Sequence, residues 1–70
     1  MMLKQIHRNV LENDILVSTV DLHPYCSGGY RYETMIFGLF DDEYQERCQT
    51  LNEANAQHNT ALRRAKESIE

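Results

Sequence analysis

Two stretches in the first forty residues alternate between apolar and polar positions in the way that β-strands do. Residues 15–22, ILVSTVDL, are rich in β-branched side chains, which suit the pleated surface of a sheet. Residues 30–38, YRYETMIFG, would place two sets on opposite sides of a strand: Tyr30, Tyr32, Thr34 and Ile36, and Arg31, Glu33, Met35 and Phe37. Neither set is purely polar. We therefore predict a central strand with a helix on one face and a half-exposed aromatic face opposite.

The N-terminal run LKQIHRNV, residues 3–10, precedes the turn-forming residues 12–14. This order predicts a strand that pairs with residues 15–22 in a hairpin. The alternative is a short helix, because Leu3, Ile6 and Val10 also fit helical spacing. Further along, residues 38–42 favour a turn, and the charged residues 43–48 favour an edge strand, where charges discourage pairing with foreign strands.

The C-terminal stretch TLNEANAQHNTALRRAKESIE, residues 50–70, predicts a helix. Thr50 with Glu53 forms a capping box, in which each side chain satisfies a backbone N–H at the start of the helix. A mainly apolar stripe follows at three- and four-residue spacing: Leu51, Ala54, Asn55, His58, Ala61, Leu62, Ala65 and Ile69.

Short connections between consecutive strands favour antiparallel neighbours. One helix over one face of such a sheet buries both apolar surfaces. The sequence thus predicts a single α+β domain, residues 1–70, with a small antiparallel sheet of three or four strands and one C-terminal helix packed on one face.

The composition narrows the classes of function. The net charge of −4 argues against non-specific nucleic-acid binding, so we do not expect a nucleic-acid partner. No run of about 18 apolar residues and no secretory signal is present, which predicts a soluble cytoplasmic protein without membrane contact. In that compartment Cys26 and Cys48 are expected to be reduced thiols, with a Cys26–Cys48 disulfide as the alternative.

Residue types that bind zinc are present, but their spacing is not that of a paired zinc knuckle. The candidates are His23, Cys26, Cys48 and His58. His23 and Cys26 would share one loop, whereas Cys48 and His58 lie on different predicted elements. Separate thiols and histidines are the simpler interpretation, and we expect no cofactor.

Glu33 raises the question of catalysis, because His23 and Cys26 could supply a Cys-His pair with it. A chain of about 70 residues rarely builds a shaped cleft and keeps a core. We therefore expect a protein that is not an enzyme. Glu33 is predicted to be structural, paired with Arg8 or Arg47 on a neighbouring strand.

Two groups of residues are candidates for contact with a protein partner. Tyr30 and Tyr32 would lie on the same side of their strand, and exposed tyrosine is a frequent anchor in interfaces. Asp41, Asp42 and Glu43 form an acidic turn that could steer a basic surface, although a solvated turn is the default interpretation.

Four short motifs in order resemble a loose family of small, uncharacterised bacteriophage and prophage proteins: VSTVDL, YETMIFG, EYQERCQT and LNEANAQHNTAL. The similarity spans roughly residues 17–65 and includes the aromatic-Glu-Thr-Met-apolar-Phe strand at residues 32–37. The chain departs from that pattern at Cys48, where an aromatic would stand, and in the loop HPYCSGG.

The resemblance implies a phage gene product acting inside a bacterial cell, with no activity to transfer. The expected function is a protein-interaction module that binds a host or phage protein and inhibits a host process or defence system. The alternatives are a homo-oligomeric assembly accessory protein, or a small metal- or ligand-binding module.

Overall fold

The computed structural model describes residues 4–23, 28–38 and 44–69. The elements are β1 Lys4–Val10, a 3₁₀ turn Glu12–Asp14, β2 Leu16–Asp21, β3 Tyr32–Phe37, β4 Tyr44–Cys48 and α1 Leu51–Ile69. The four strands form one sheet in the order β1-β2-β3-β4, and every neighbouring pair is antiparallel. The predicted α+β fold is confirmed, with four strands and the helix packed on one face. Among the described residues, no helix is long and apolar enough to cross a membrane.

The N-terminal hairpin is present, so the strand interpretation of the first residues is confirmed and the helical alternative is wrong. β1 carries a bulge: Gln5 pairs with Val20 and His7 with Thr19, which leaves Ile6 as an extra residue. The Gln5 amide bridges the bulge by donating to the carbonyls of His7 (2.7 Å) and Thr19 (3.0 Å). The bulge lets Ile6 reach the core beneath α1.

The core lies between α1 and the sheet as two apolar clusters. The larger contains Ile15, Val17, Ile36, Ala61 and Ala65. The smaller contains Tyr32, Cys48 and Ala54, with Ile6 packed against it. Among the helix side chains whose burial the structure describes, every buried apolar one is an alanine, so the backbone of α1 lies close to the strands.

The capping box is confirmed at the start of α1. The Thr50 backbone N–H donates to Glu53 Oε1 (3.1 Å), and the Glu53 N–H donates to Thr50 Oγ1 (3.2 Å). Two backbone donors that lack partners within the helix are thereby satisfied.

Gly38, directly after β3, makes the tightest backbone approach. Its φ is +95°, and a Cβ there would lie 3.1 Å from the Asp14 carbonyl oxygen. We expect Gly38→Ala to lower the free energy of unfolding by about 1–3 kcal/mol, because strain of the backbone and crowding add. Gly29→Ala is the control, since Gly29 also has a positive φ (+80°) but its Cβ would meet only a side-chain atom at 3.7 Å.

Urea unfolding of the two glycine variants separates the two contributions. If Gly38→Ala loses more free energy of unfolding than Gly29→Ala, the difference is the cost of crowding against the turn after β1. Equal losses would show that the positive φ alone accounts for the cost.

Candidate functional site

The face of the sheet opposite α1, called here the open face, carries three rows of side chains that run across the strands. Cross-strand pairing defines a first row of Val10, Leu16 and Phe37, a second row of Arg8, Ser18, Met35 and Gln45, and a third row of Gln5, Val20, Glu33 and Arg47. The first row is wholly apolar. Among the described elements, only α1 lies on the sheet, and it covers the other face.

The two outer residues of the apolar row are exposed on the open face. Val10 is 56% exposed and Phe37 is 46% exposed, and they flank the half-buried Leu16. These three residues are direct cross-strand neighbours, so their exposed surfaces are contiguous. A contiguous apolar patch with a polar border is typical of a surface that contacts another molecule.

Glu33 lies on the same face but is engaged in the sheet. Its Oε2 accepts from Arg47 Nε at 2.8 Å and from Gln45 Nε2 at 2.6 Å, and the residue is only 9% exposed. The predicted cross-strand pair is confirmed, with Arg47 and not Arg8 as the partner. A carboxylate held by two donors from the adjacent strand is a structural group.

Among the described residues, no acidic side chain forms an ion pair with Arg8, which adds a positive charge to the open face beside the Glu33–Arg47 pair. Arg8 lies in the second row, next to Ser18 and beside the apolar row. The open face thus combines an apolar strip with a positive charge, although the whole chain carries a net charge of −4.

The structure separates the two tyrosines that the sequence placed on one contact surface. Tyr32 is 8% exposed and packs beneath α1 with Cys48 and Ala54. Tyr30, before the strand begins, is 44% exposed. The tyrosine side of β3 therefore faces the helix, and the aromatic that β3 presents to the open face is Phe37. The predicted acidic turn, Asp41, Asp42 and Glu43, lies outside the described residues.

Of the four residues proposed for zinc, the three that the structure describes are not brought together. His23 is exposed in the turn after β2, Cys48 is a free buried thiol in the smaller apolar cluster, and Cys26 lies outside the described residues. Burial raises the pKa of the Cys48 thiol, which disfavours the thiolate that binds metals. Within the described part of the chain, no three His, Cys, Asp or Glu side chains are grouped as metal ligands.

His58 belongs instead to a polar layer between the two apolar clusters. Its Nδ1 is 2.7 Å from Thr19 Oγ1, and its Nε2 is 2.8 Å from Asn9 Oδ1. Thr19 Oγ1 is 2.6 Å from Thr34 Oγ1, which accepts from Gln57 Nε2 at 2.9 Å. Both ring nitrogens of His58 are engaged within the protein, so neither is available to a metal.

Thr19, His58 and Asn9 have the connectivity of a hydroxyl nucleophile, a histidine base and an orienting group. Thr19 has no exposed surface and His58 is 3% exposed. A substrate cannot reach the hydroxyl in this arrangement. The layer acts as a structural network, in which each buried polar atom has a partner.

A second polar group holds the base of the connection between β2 and β3. Arg31 donates to both carboxylate oxygens of Asp21, from Nε to Oδ1 at 3.1 Å and from Nη2 to Oδ2 at 3.0 Å. These hydrogen bonds hold the pKa of Asp21 below its usual value of 3.8. The ion pair therefore fixes both ends of the connection at neutral pH.

Sequence reasoning predicted a half-exposed aromatic face but placed the contact surface on the side of β3 that the helix covers, and it missed the polar layer. The open face alternates in the sequence as expected, but mixed residues on both sides of β3 did not indicate which side the helix covers. The sequence contains one signal of the polar layer, which is the position of His58 within the apolar stripe of the helix. No family model, curated protein or solved structure matches the chain.

Proposed function

We propose that this protein is a non-catalytic interaction module that binds another protein through the open face of its sheet. The observation that carries the proposal is the contiguous apolar row, with Val10 56% exposed and Phe37 46% exposed in a chain of 70 residues. Aromatic side chains at the centre of an interface commonly supply a large share of the binding energy.

The chemistry of the open face supports a partner that offers an apolar surface and a carboxylate. The apolar row fits an apolar surface, and the charge of Arg8 fits a carboxylate beside it. A polyanion such as nucleic acid fits less well, because the net charge of −4 repels it at long range. The resemblance to small phage proteins supports a host or phage protein in the bacterial cytoplasm, with inhibition of a host process as the consequence of binding.

A non-catalytic role is supported by the state of the groups that could react. Glu33 is neutralised by Arg47, and the hydroxyl of Thr19 is sealed beneath α1. The residues that remain accessible on the open face are suited to contact and not to proton transfer.

The test is capture of a partner from a bacterial lysate by the full chain, followed by binding measurements with the purified partner. We expect Phe37→Ser to weaken binding by about tenfold or more, as loss of a central aromatic does in interfaces. Leu51→Ser is the matched control, because Leu51 is 47% exposed but lies at the start of α1. Arg8→Gln should weaken binding to an acidic partner and reduce its dependence on salt.

The outcomes discriminate between partners. Loss of binding in Phe37→Ser with retention in Leu51→Ser supports the open face. Equal loss in both variants, or no loss in either, contradicts it. If light scattering instead shows a dimer that Phe37→Ser dissociates, the occupant of the face is a second copy and the assembly-accessory role is favoured.

A further inference from the structure

The hydrogen bonds of the polar layer follow one donor-to-acceptor order. The amide oxygen of Asn9 can only accept, so the Nε2 of His58 carries the proton. In a neutral ring, Nδ1 is then an acceptor, and the Thr19 hydroxyl donates to it. Thr19 in turn accepts from Thr34, and Thr34 accepts from Gln57. One protonation state and one tautomer of His58 satisfy every group.

A second proton on His58 would break this order. Nδ1 would become a donor, so the Thr19 hydroxyl would turn towards Thr34, whose oxygen already accepts from Gln57. Two donors would then converge on the oxygen of Thr34, which has no exposed surface. Its own hydroxyl proton would lose its acceptor, which is costly in a buried site.

The surroundings of His58 also oppose a positive charge. His7 of β1 faces it, with ring centroids 5.0 Å apart, and His7 is itself bound to Asn55 of α1 at 2.7 Å. The other elements present neutral groups: Asn9 from β1, Thr19 from β2, Thr34 from β3 and Gln57 from the helix. On β4, the Glu46 carbonyl binds Gln57, while the Glu46 carboxylate accepts from Tyr44. Burial and the charge of His7 lower the pKa of His58.

We propose that the polar layer is acid-sensitive, and that protonation of His58 weakens the packing of α1 against β1 and β2. The contacts that His58 makes with Asn9 and Thr19 link the middle of the helix to both strands. A neutral ring satisfies every group of the layer, whereas a charged ring leaves the Thr34 hydroxyl without an acceptor and places a charge in the core. This inference does not depend on the proposed use of the open face.

The direction of the pH effect follows from linkage. A group with a lowered folded pKa contributes stability that is complete above its unfolded value, which is 6.5 for His58. That stability is lost as the pH falls from 6.5 through the folded pKa. Within this window one proton raises the unfolding constant by up to about tenfold per pH unit.

The test measures urea unfolding of the full chain between about pH 7.5 and pH 5, with the imidazole signals followed by NMR over the same range. We expect the wild-type unfolding constant to rise through this window and His58 to protonate at lower pH in the folded chain than in the unfolded chain. His58→Gln, which can both donate and accept but cannot be charged, should remove the rise. His23→Gln is the control, because His23 is exposed and should leave the rise intact.

A second variant keeps the test decisive if His58→Gln does not fold. His7→Gln changes an exposed side chain and removes the neighbouring cation, so His58 should protonate at higher pH and the rise should become smaller. A wild-type unfolding constant that does not change over this range overturns the proposal. So does an unchanged rise in both His58→Gln and His7→Gln, or a His58 signal in the folded chain that titrates at or above pH 6.5.

Discussion

Replacing Ala61 with leucine is expected to lower the free energy of unfolding by about 1–3 kcal/mol, the usual cost of overpacking a core. Ala61 has no exposed surface, and it packs against Ile15, Val17 and Ile36. The helix approaches the sheet through alanines, so a leucine there must push α1 away or take a strained rotamer. Both responses disturb the larger apolar cluster.

The expected loss is a large part of the stability of so small a domain. About 0.05–0.15 kcal/mol per residue is typical, so a chain of 70 residues holds roughly 4–10 kcal/mol. Each kcal/mol shifts the melting temperature by about 4–8 °C at this size. Ala61→Leu should therefore melt roughly 5–20 °C below the wild type, measured by circular dichroism.

Ala56→Leu is the matched control for this measurement. Ala56 lies on the exposed side of the same helix, and alanine and leucine have similar helix propensities. We expect its stability to stay within about 0.5 kcal/mol of the wild type. If Ala61→Leu is tolerated equally well, α1 does not approach the sheet closely at Ala61.

Thr19→Val is expected to lower the free energy of unfolding by about 2–4 kcal/mol, because it leaves two buried groups without partners at about 1–3 kcal/mol each. Valine has nearly the same shape as threonine, so packing changes little. The Thr19 hydroxyl donates to His58 Nδ1 and accepts from the Thr34 hydroxyl, so its removal leaves both of these groups without a partner. Thr60→Val is the control, since Thr60 is exposed on the outer side of α1.

A double-mutant cycle distinguishes a lost network from lost packing. Thr19→Val combined with His58→Leu should cost less than the sum of the two single changes, because removing both members of a hydrogen bond leaves fewer orphaned groups. The coupling energy is expected to be about 0.5–3 kcal/mol, measured by urea unfolding. Additive losses would show that the 2.7 Å contact between Thr19 and His58 contributes little to stability.

The local elements were predictable because their signals lie within a few residues. The capping box of Thr50 and Glu53 identified the start of the helix, and the three- and four-residue spacing of the mainly apolar stripe identified its buried side. Alternation in β3 and β4 placed Glu33 and Arg47 on one side of adjacent strands, where they do pair. Each of these inferences needed only helical or strand periodicity.

The predicted tyrosine surface was wrong because periodicity does not assign a face to solvent. Residues 30–37 have mixed side chains on both sides, and either side could have received the helix. Tyr32 is buried because its side of β3 aligns with Val17 and Thr19 of β2, which lie beneath α1. Phe37 is left on the opposite side, in the apolar row.

The sequence by itself determined the helix, its cap, the central strand-forming runs and the side of β3 on which Glu33 lies, because local periodicity suffices for these. The order of the strands decided that Arg47 and not Arg8 is the partner of Glu33. Only the tertiary structure decided which face of the sheet is open and which groups satisfy His58. Thr19 and Thr34 lie 39 and 24 residues before His58, and they reach its layer only when the strands are in register and the helix is docked. Burial of a polar group depends on contacts between distant residues, and no short stretch of sequence contains them.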